Sequence, residues 1–105
     1  MSDWQALAEA TKNLLKEKSI PEAQLKIQEG LREIPNQLQL LFIATEVYRV
    51  SGDRETSLTY AELLITCYPD NWNGYGRAAE DLVALNRLDE AKVKIQEGLR
   101  EIPNH

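Results

Sequence analysis

Apolar residues recur at helical spacing in six segments of the chain, and short polar breaks separate these segments. In the second segment, for example, Ala23, Ile27 and Leu31 lie on one side of a helix, with polar and charged residues between them. The pattern predicts six helices of roughly 12 to 15 residues, a length at which an isolated helix is only marginally stable in water. The apolar stripes must therefore pack against one another, and the expected fold class is all-α.

The breaks between the segments contain residues that start or end helices. Proline suits the first turn of a helix, glycine and asparagine tolerate the left-handed conformation at a helix end, and aspartate or asparagine side chains accept hydrogen bonds from the first N–H groups. Such residues are Ser2 or Asp3, Pro21, Gly52, Asp53, Asn71 and Asn86. Each second helix is expected to stop just before a proline, because the residue ahead of proline is driven out of the helical conformation.

The segments form a repeat. The residues 26–36 recur letter for letter at 94–104. Pro35, Pro69 and Pro103 are evenly spaced, 34 residues apart. They divide the chain into three units of two helices each, 4–37, 38–71 and 72–105. A fixed period of this length is typical of stacked helical repeats, which form extended binding surfaces more often than catalytic pockets.

Small residues recur with the same period and mark places where helices can approach closely. The two sets are Ala10, Ala44, Ala78 and Ala23, Ser57, Ala91. A bulky side chain at such a position would push neighbouring helices apart. Gly74 and Gly76 lie inside the fifth predicted helix, where each is expected to cost about 1 kcal/mol relative to alanine.

The composition excludes several classes of protein. The 105 residues suffice for one compact domain, and 43% hydrophobic with 28% charged residues is ordinary for a globular chain. A net charge of -5 argues against nucleic acid and anionic membranes, which bind basic surfaces. No apolar run approaches the roughly 20 residues of a membrane span, and the first residues do not resemble a secretion signal. The single cysteine, Cys67, is compatible with a reducing compartment, so a cytoplasmic location is expected.

Catalytic chemistry finds little support in the sequence. The only histidine is His105, and there is no Ser/His/Asp set, no CxxC or HExxH motif and no glycine-rich phosphate loop. Carboxylates one helical turn apart, Glu29 with Glu33 and Glu97 with Glu101, can imitate a metal site. Without histidine or further inward-facing ligands, a solvated helix face is the better interpretation. We therefore expect no enzymatic activity, no metal and no cofactor.

The chain resembles the tetratricopeptide repeat (TPR) family, whose pattern W-x2-L-G-x2-Y, A-x3-F and P fills 34 residues. The second unit matches this pattern with Leu41, Ala44, Thr45, Tyr48, Ser57, Ala61 and Pro69. The other two units match in phase, so the resemblance covers essentially the whole chain. Trp4 and Trp72 fall three residues ahead of the family's tryptophan position and are interpreted as staples against the preceding turn. The resemblance implies a right-handed superhelix of three helix-turn-helix repeats.

The resemblance also implies a concave groove, lined by the first helix of each repeat, in which a peptide or helix of a partner protein binds. In this chain the groove would comprise Gln5, Ala8, Lys12, Leu15, Gln39, Phe42, Glu46, Arg49, Asn73, Gly76, Glu80 and Val83. Some members of the family hold the C-terminal carboxylate of chaperones with two lysines, two asparagines and an arginine. The matching positions hold Ala8, Lys12, Ile43, Asn73 and Arg77. Only the arginine agrees, so chaperone-tail binding is not expected.

The last unit is expected to leave an apolar face uncovered. Leu31 and Ile34 should be covered by the following helix, whereas Leu99 and Ile102, the same letters in the second copy, have none after them. Burying each such side chain is worth about 1.5–3 kcal/mol. Either the chain is a segment of a longer array, natural or engineered, or another copy of the protein covers the face. The second explanation gives the hypothesis of self-association through Leu99 and Ile102.

Two functional hypotheses follow from these features. The first is a non-catalytic protein–protein interaction module or scaffold that binds a peptide or helix in the concave groove. The alternative is a self-assembling or engineered structural repeat unit, which associates through its C-terminal helix and has no dedicated ligand. Substitution of Phe42 and Arg49 by alanine distinguishes them. The first hypothesis predicts loss of a bound partner, and the second predicts that there is no partner to lose.

Overall fold

The computed structural model describes residues 4–102, which form six helices joined by short turns. The helices are α1 (Trp4–Lys16), α2 (Ile20–Glu33), α3 (Leu38–Ser51), α4 (Arg54–Cys67), α5 (Trp72–Ala84) and α6 (Leu88–Glu101). The predicted all-α fold class and the number of helices are confirmed. The expected cap at Ser2 or Asp3, Pro103 and His105 lie outside the described residues. No helix between residues 4 and 102 is both long and apolar enough to cross a lipid bilayer.

The internal helix ends follow the predicted turn chemistry. Gly52 ends α3 with a φ of 89°, and Asn86 adopts a φ of 61° between α5 and α6. Asp53 caps α4, because its side chain accepts hydrogen bonds from the Thr56 hydroxyl at 2.7 Å and from the Thr56 backbone N–H at 3.1 Å. These two bonds favour the ionised carboxylate and lower the pKa of Asp53. Asn71 caps α5 in a similar way.

Prolines and Gln37 lie at further helix boundaries. Pro21 lies in the first turn of α2. The helices α2 and α4 both end two residues before a proline, at Pro35 and Pro69. The cap of α3 was not predicted: the Gln37 side chain accepts a hydrogen bond from the backbone N–H of Leu40 at 2.9 Å. Glutamine is not among the preferred N-caps, so only the folded structure reveals this role.

The six helices form two layers. The helix α3 contacts both α1 and α5, so the first helices of the three pairs make one continuous layer. Within the described chain, α2, α4 and α6 contact helices of the first layer and not one another. Closer spacing in the first layer than in the second curves the stack. The surface of α1, α3 and α5 is therefore its concave side.

Small residues allow the two layers to pack closely. Ala23, Ala44, Ala61 and Ala78 have no exposed surface, and Ala91 is almost as deeply buried. These alanines lie among larger apolar side chains in two core clusters, one around α1, α2 and α3 and the other around α4, α5 and α6. Most of the small positions expected from the 34-residue period thus occupy helix contacts. The division of the chain into units 4–37, 38–71 and 72–105 stays a prediction.

Gly74 and Gly76 lie two residues apart in α5, on nearly opposite sides of the helix, and their surroundings differ. A methyl group added at Gly74 would lie 2.9 Å from the backbone nitrogen of Ile65 in α4, which is too close for real atoms. The backbones of α4 and α5 therefore approach each other directly at this point. A methyl group added at Gly76 would meet only the Trp72 side chain, at an ordinary distance of 3.5 Å.

A polar network is buried between α4 and α5. Asp81 has no exposed surface, accepts a hydrogen bond from the Ser57 hydroxyl at 2.5 Å, and forms an ion pair with Arg54 at 3.0 Å. The Ser57 oxygen is also 3.1 Å from the backbone carbonyl of Thr45 in α3. One hydroxyl at the small position of the second unit therefore links three helices. A buried carboxylate is tolerated only while such partners remain in place.

The two glycines of α5 give a matched pair of substitutions. We expect Gly74→Ala to lower the free energy of unfolding by about 1–3 kcal/mol, because the new methyl group meets the α4 backbone. We expect Gly76→Ala to raise it by up to about 1 kcal/mol, because alanine is the better helix former and the site has room. Urea denaturation followed by circular dichroism measures both. Equal effects of the two substitutions would contradict the close approach of α4 and α5.

The buried network predicts a large cost for removing its carboxylate. We expect Asp81→Ala to lower the free energy of unfolding by about 2–4 kcal/mol, because Ser57 and Arg54 lose their shared partner. Lys92→Ala, at an exposed position of α6, serves as the control and should change stability by less than about 0.5 kcal/mol. Thermal unfolding of the two variants under identical conditions tests this. A loss no greater than that of the control would show that the network is dispensable.

Candidate functional site

The concave surface of α1, α3 and α5 carries most of the residues predicted for the groove. Six of them are exposed: Gln5, Lys12, Gln39, Asn73, Glu80 and Val83. Five more are half-buried: Leu15, Phe42, Glu46, Arg49 and Gly76. Ala8 is the correction: it is only 5% exposed and belongs to the first core cluster, so it offers no surface to a partner.

Four charged side chains connect α3 to α5 across the groove. They are Glu46, Arg49, Arg77 and Glu80, called here the charge network. Arg49 pairs with Glu46 on its own helix and reaches Glu80 on α5 at 3.5 Å. Arg77 returns from α5 to Glu46 at 3.5 Å and also faces Glu80 at 3.6 Å. Two positive and two negative charges balance, so the middle of the groove has no net charge.

The arginines of the charge network are held by their neighbours. The hydrogen bond with Glu46 is the main cause that raises the pKa of Arg49, and nearby carboxylates add to it. The Arg49 Nε atom is buried and has no hydrogen-bond partner among the described residues. Arg77 has a second role, because its guanidinium lies 4.6 Å from the centre of the Phe42 ring. This is a cation–π contact, and it keeps Arg77 close to the surface of α3.

The charge network borders a hollow of about 230 Å³ between α3 and α5. Its lining consists of Phe42, Trp72, Asn73, Gly76, Arg77 and Glu80, called here the groove pocket. Four of these residues were predicted for the groove from the sequence. Trp72 and Arg77 were not, although both lie on α5, beside or one turn from the predicted positions. The groove pocket combines two aromatic walls with an amide and two opposite charges.

Trp72 connects the groove pocket to α6. A methyl group added at Gly98 of α6 would collide with the six-membered part of the indole ring, and one added at Gly76 would lie 3.5 Å from the indole nitrogen. The ring also stacks on Tyr75, with 6.1 Å between the ring centres. Trp72 was expected to pack against the turn before it. That interpretation stays a prediction, and two glycines give the side chain room to reach from the groove to the second layer.

Several other residues predicted for the groove do not line the groove pocket. Gln5, Lys12 and Leu15 lie on α1, at the far end of the concave surface. Val83 borders a different hollow of about 470 Å³, beside Ile95 of α6. The carboxylate pairs on α2 and α6 are not joined by other ligands, since the described residues contain no group of three or more side chains suited to a metal ion.

The expected apolar face at α6 is present but differs in detail. We call Val83, Ile95 and Leu99 the C-terminal face. Ile95 is 41% exposed and Leu99 is 52% exposed. Ile102 is half-buried, so it contributes less than expected. Ile95 adds to the face, although the sequence analysis assigned only Leu99 and Ile102 to it.

Comparisons with known proteins bear on the fold. No family model and no curated protein sequence matches the chain. The solved structure of the first TPR of Spaghetti (RPAP3), bound to the HSP90 peptide SRMEEVD, superposes with a TM-score of 0.82. The match covers 96% of this chain and 80% of that chain, at 21% sequence identity. The chain has the tetratricopeptide-repeat fold. The TPR resemblance predicted from the sequence is thereby confirmed at the level of the fold.

The stacking of Arg77 on Phe42 gives a testable coupling within this TPR fold. We expect Arg77→Ala to lower the free energy of unfolding by about 1–2 kcal/mol, because the cation–π contact and two ion pairs are lost. In a double-mutant cycle with Phe42→Leu, the coupling energy should be about 0.5–1 kcal/mol. Chemical denaturation measures all four proteins, and Arg100→Ala on the exposed side of α6 is the control. Strict additivity of the two changes would contradict the contact.

Proposed function

We propose that the chain is a non-catalytic interaction module that binds a peptide or helix of a partner protein along its concave surface. The observation that carries this proposal is the groove pocket, which brings the rings of Phe42 and Trp72 together with polar groups in the middle of that surface. Pockets with apolar walls and a few placed polar groups are typical of binding sites. The RPAP3 domain of similar fold was solved with a peptide bound, which is consistent with this use of the fold.

The groove pocket favours a particular kind of ligand. The rings of Phe42 and Trp72 suit an apolar or aromatic side chain, while the Asn73 amide can both donate and accept hydrogen bonds. A strongly acidic tail is less suited, because Arg49 and Arg77 are already balanced by two glutamates. We therefore propose a mixed apolar and polar segment of a protein as the ligand, and not an acidic chaperone tail.

The proposal extends to the setting of the interaction. A net charge of -5 favours a protein partner over nucleic acid. The single cysteine, Cys67, is unpaired, as is usual in a reducing compartment, and this supports a cytoplasmic location. No residue of the groove is assigned a catalytic role.

The second candidate is a structural unit that associates with itself through Leu99 and Ile102. The 52% exposure of Leu99 favours it, since an exposed leucine beside other apolar residues gains from being covered. Here the groove would have no dedicated ligand. Phe42→Ala combined with Arg49→Ala separates the candidates, because it removes a groove partner but leaves contacts of α6 intact.

A peptide selection tests the groove. Peptides selected from a random library on the immobilised chain should bind at the groove pocket, and Gly76→Gln should weaken them at least about tenfold, or about 1.4 kcal/mol, by filling it. Lys92→Gln, an exposed residue of α6, should leave their binding unchanged. Isothermal titration measures the affinities, and circular dichroism checks that each variant is folded. Peptides that bind Gly76→Gln as tightly as the unchanged chain would refute the proposal.

A further inference from the structure

We propose that the C-terminal face is a second binding site, adjacent to the groove pocket, and that it takes an amphipathic α-helix. The helix should carry the apolar pattern that α3 presents to α2, with large apolar residues at the positions of Leu40, Ile43 and Val47. The partner is thus defined by its chemistry: one helix with aliphatic side chains at i, i+3 and i+7.

The same molecule contains a filled version of this site. The residues 26–36 of α2 and its end are identical to residues 94–104. In the first copy Ile27 is fully buried and Leu31 is half-buried, whereas in the second Ile95 and Leu99 are 41% and 52% exposed. Because the letters are the same, the difference arises from what lies against them. Against α2 lies α3; nothing described lies against the matching side of α6.

The contact between α2 and α3 shows what the occupant must provide. Leu40, Ile43 and Val47 of α3 are at most 5% exposed and belong to the same core cluster as Ile27. A methyl group added at Gly30 of α2 would lie 3.5 Å from the tip of Leu40, so the two helices meet closely there. A helix on α6 would bury Ile95 and Leu99 in the same manner.

The hollow beside α6 has room for the side chains of such a helix. It measures about 470 Å³ and lies between α5 and α6, with Ala79, Val83 and Ile95 in its lining. Glu80 and Arg54 also border it, but their charges are already paired with Arg49 and Asp81. An aliphatic stripe would therefore match the shape and the apolar lining of this site.

One difference between the two copies makes the binding visible. At Gly30 the neighbouring space is shared by Leu7 and Leu40, whereas at Gly98 the Trp72 ring fills it. The residue of the occupant that corresponds to Leu40 must then rest on the indole ring and not on the glycine. Binding at the C-terminal face should therefore change the surroundings, and the fluorescence, of Trp72.

A second copy of this chain is a poorer occupant. Its own α3 is already buried, so it cannot present that pattern without unfolding. The positions 34 residues before Leu40, Ile43 and Val47 form the edge of α1, and they hold exposed Ala6, Glu9 and Asn13. A head-to-tail contact would place the small Ala6 and the polar Glu9 and Asn13 against Ile95 and Leu99. Two α6 helices in contact would offer only their own sparse apolar residues.

The chain's own α3 sequence supplies the probe. A synthetic peptide of residues 37–52, labelled for fluorescence anisotropy, is titrated with the full chain carrying Trp4→Phe, so that Trp72 is the chain's one remaining tryptophan, while its emission is recorded. The peptide contains no tryptophan. We expect saturable binding with a change in emission, weakened at least about tenfold by Leu99→Glu. Val93→Glu is the matched control, because Val93 is 49% exposed on α6 but borders a different hollow with Asp89 and Glu90.

Three outcomes would overturn the proposal. The first is the absence of saturable binding, and the second is equal weakening by Val93→Glu and Leu99→Glu. The third is loss of peptide binding in the groove variant Phe42→Ala. Analytical ultracentrifugation of the free chain adds a fourth: a dimer that Leu99→Glu dissociates would assign the face to a second copy. Peptide binding that survives Phe42→Ala supports the C-terminal site whatever the groove experiment shows.

Discussion

The close approach of α4 and α5 is the constraint on which the rest of the structure depends. At Gly74 there is no space for even a methyl group before the backbone of Ile65 is reached. Because α4 crosses so near, α5 can lie beside α3, and the concave surface continues into the third pair of helices. The buried contact of Ser57 with Asp81 then helps to fix this arrangement, because both groups are shielded from water and depend on protein partners. Shape and hydrogen bonding thus select one packing together.

The fold was largely predictable because its determinants are local and periodic. Apolar spacing identified all six helices. Capping side chains such as Asp53 and Asn71 act within their own turn, where residues close in sequence are also close in space. Gln37 was missed because its capping role depends on a rotamer and not on residue type. The need for Gly74 was missed because it reflects the position of another helix. From sequence alone, a glycine inside a helix is expected only to destabilise it; its packing role appears once the neighbouring backbone is located.

The candidate site was predictable only in outline. The repeat phase located Phe42, Asn73, Gly76 and Glu80, which the structure brings to one pocket. The repeat phase did not reveal that Trp72 lines the same pocket. Its long side chain reaches beyond the helix face on which its backbone position lies. Ala8 was predicted to line the groove but is buried, because neighbouring residues easily cover a short side chain even on the outer face of a helix. The pairing of four charges across α3 and α5 likewise depends on distances that a sequence does not encode.

The two sides of α3 are joined to their neighbours by different forces, and this has a mechanical consequence. Ala8 and Leu15 of α1 share an apolar cluster with α3, whereas charged pairs such as Arg49–Glu80 join α3 to α5. Dissolved salt weakens partly exposed ion pairs, since the screening length falls from about 10 Å at 0.1 M to about 3 Å at 1 M ionic strength, and it leaves apolar contacts intact. Rising salt should therefore weaken the contacts between α3 and α5 before it affects those between α1 and α3, while the packing of α5 on α4 stays in place.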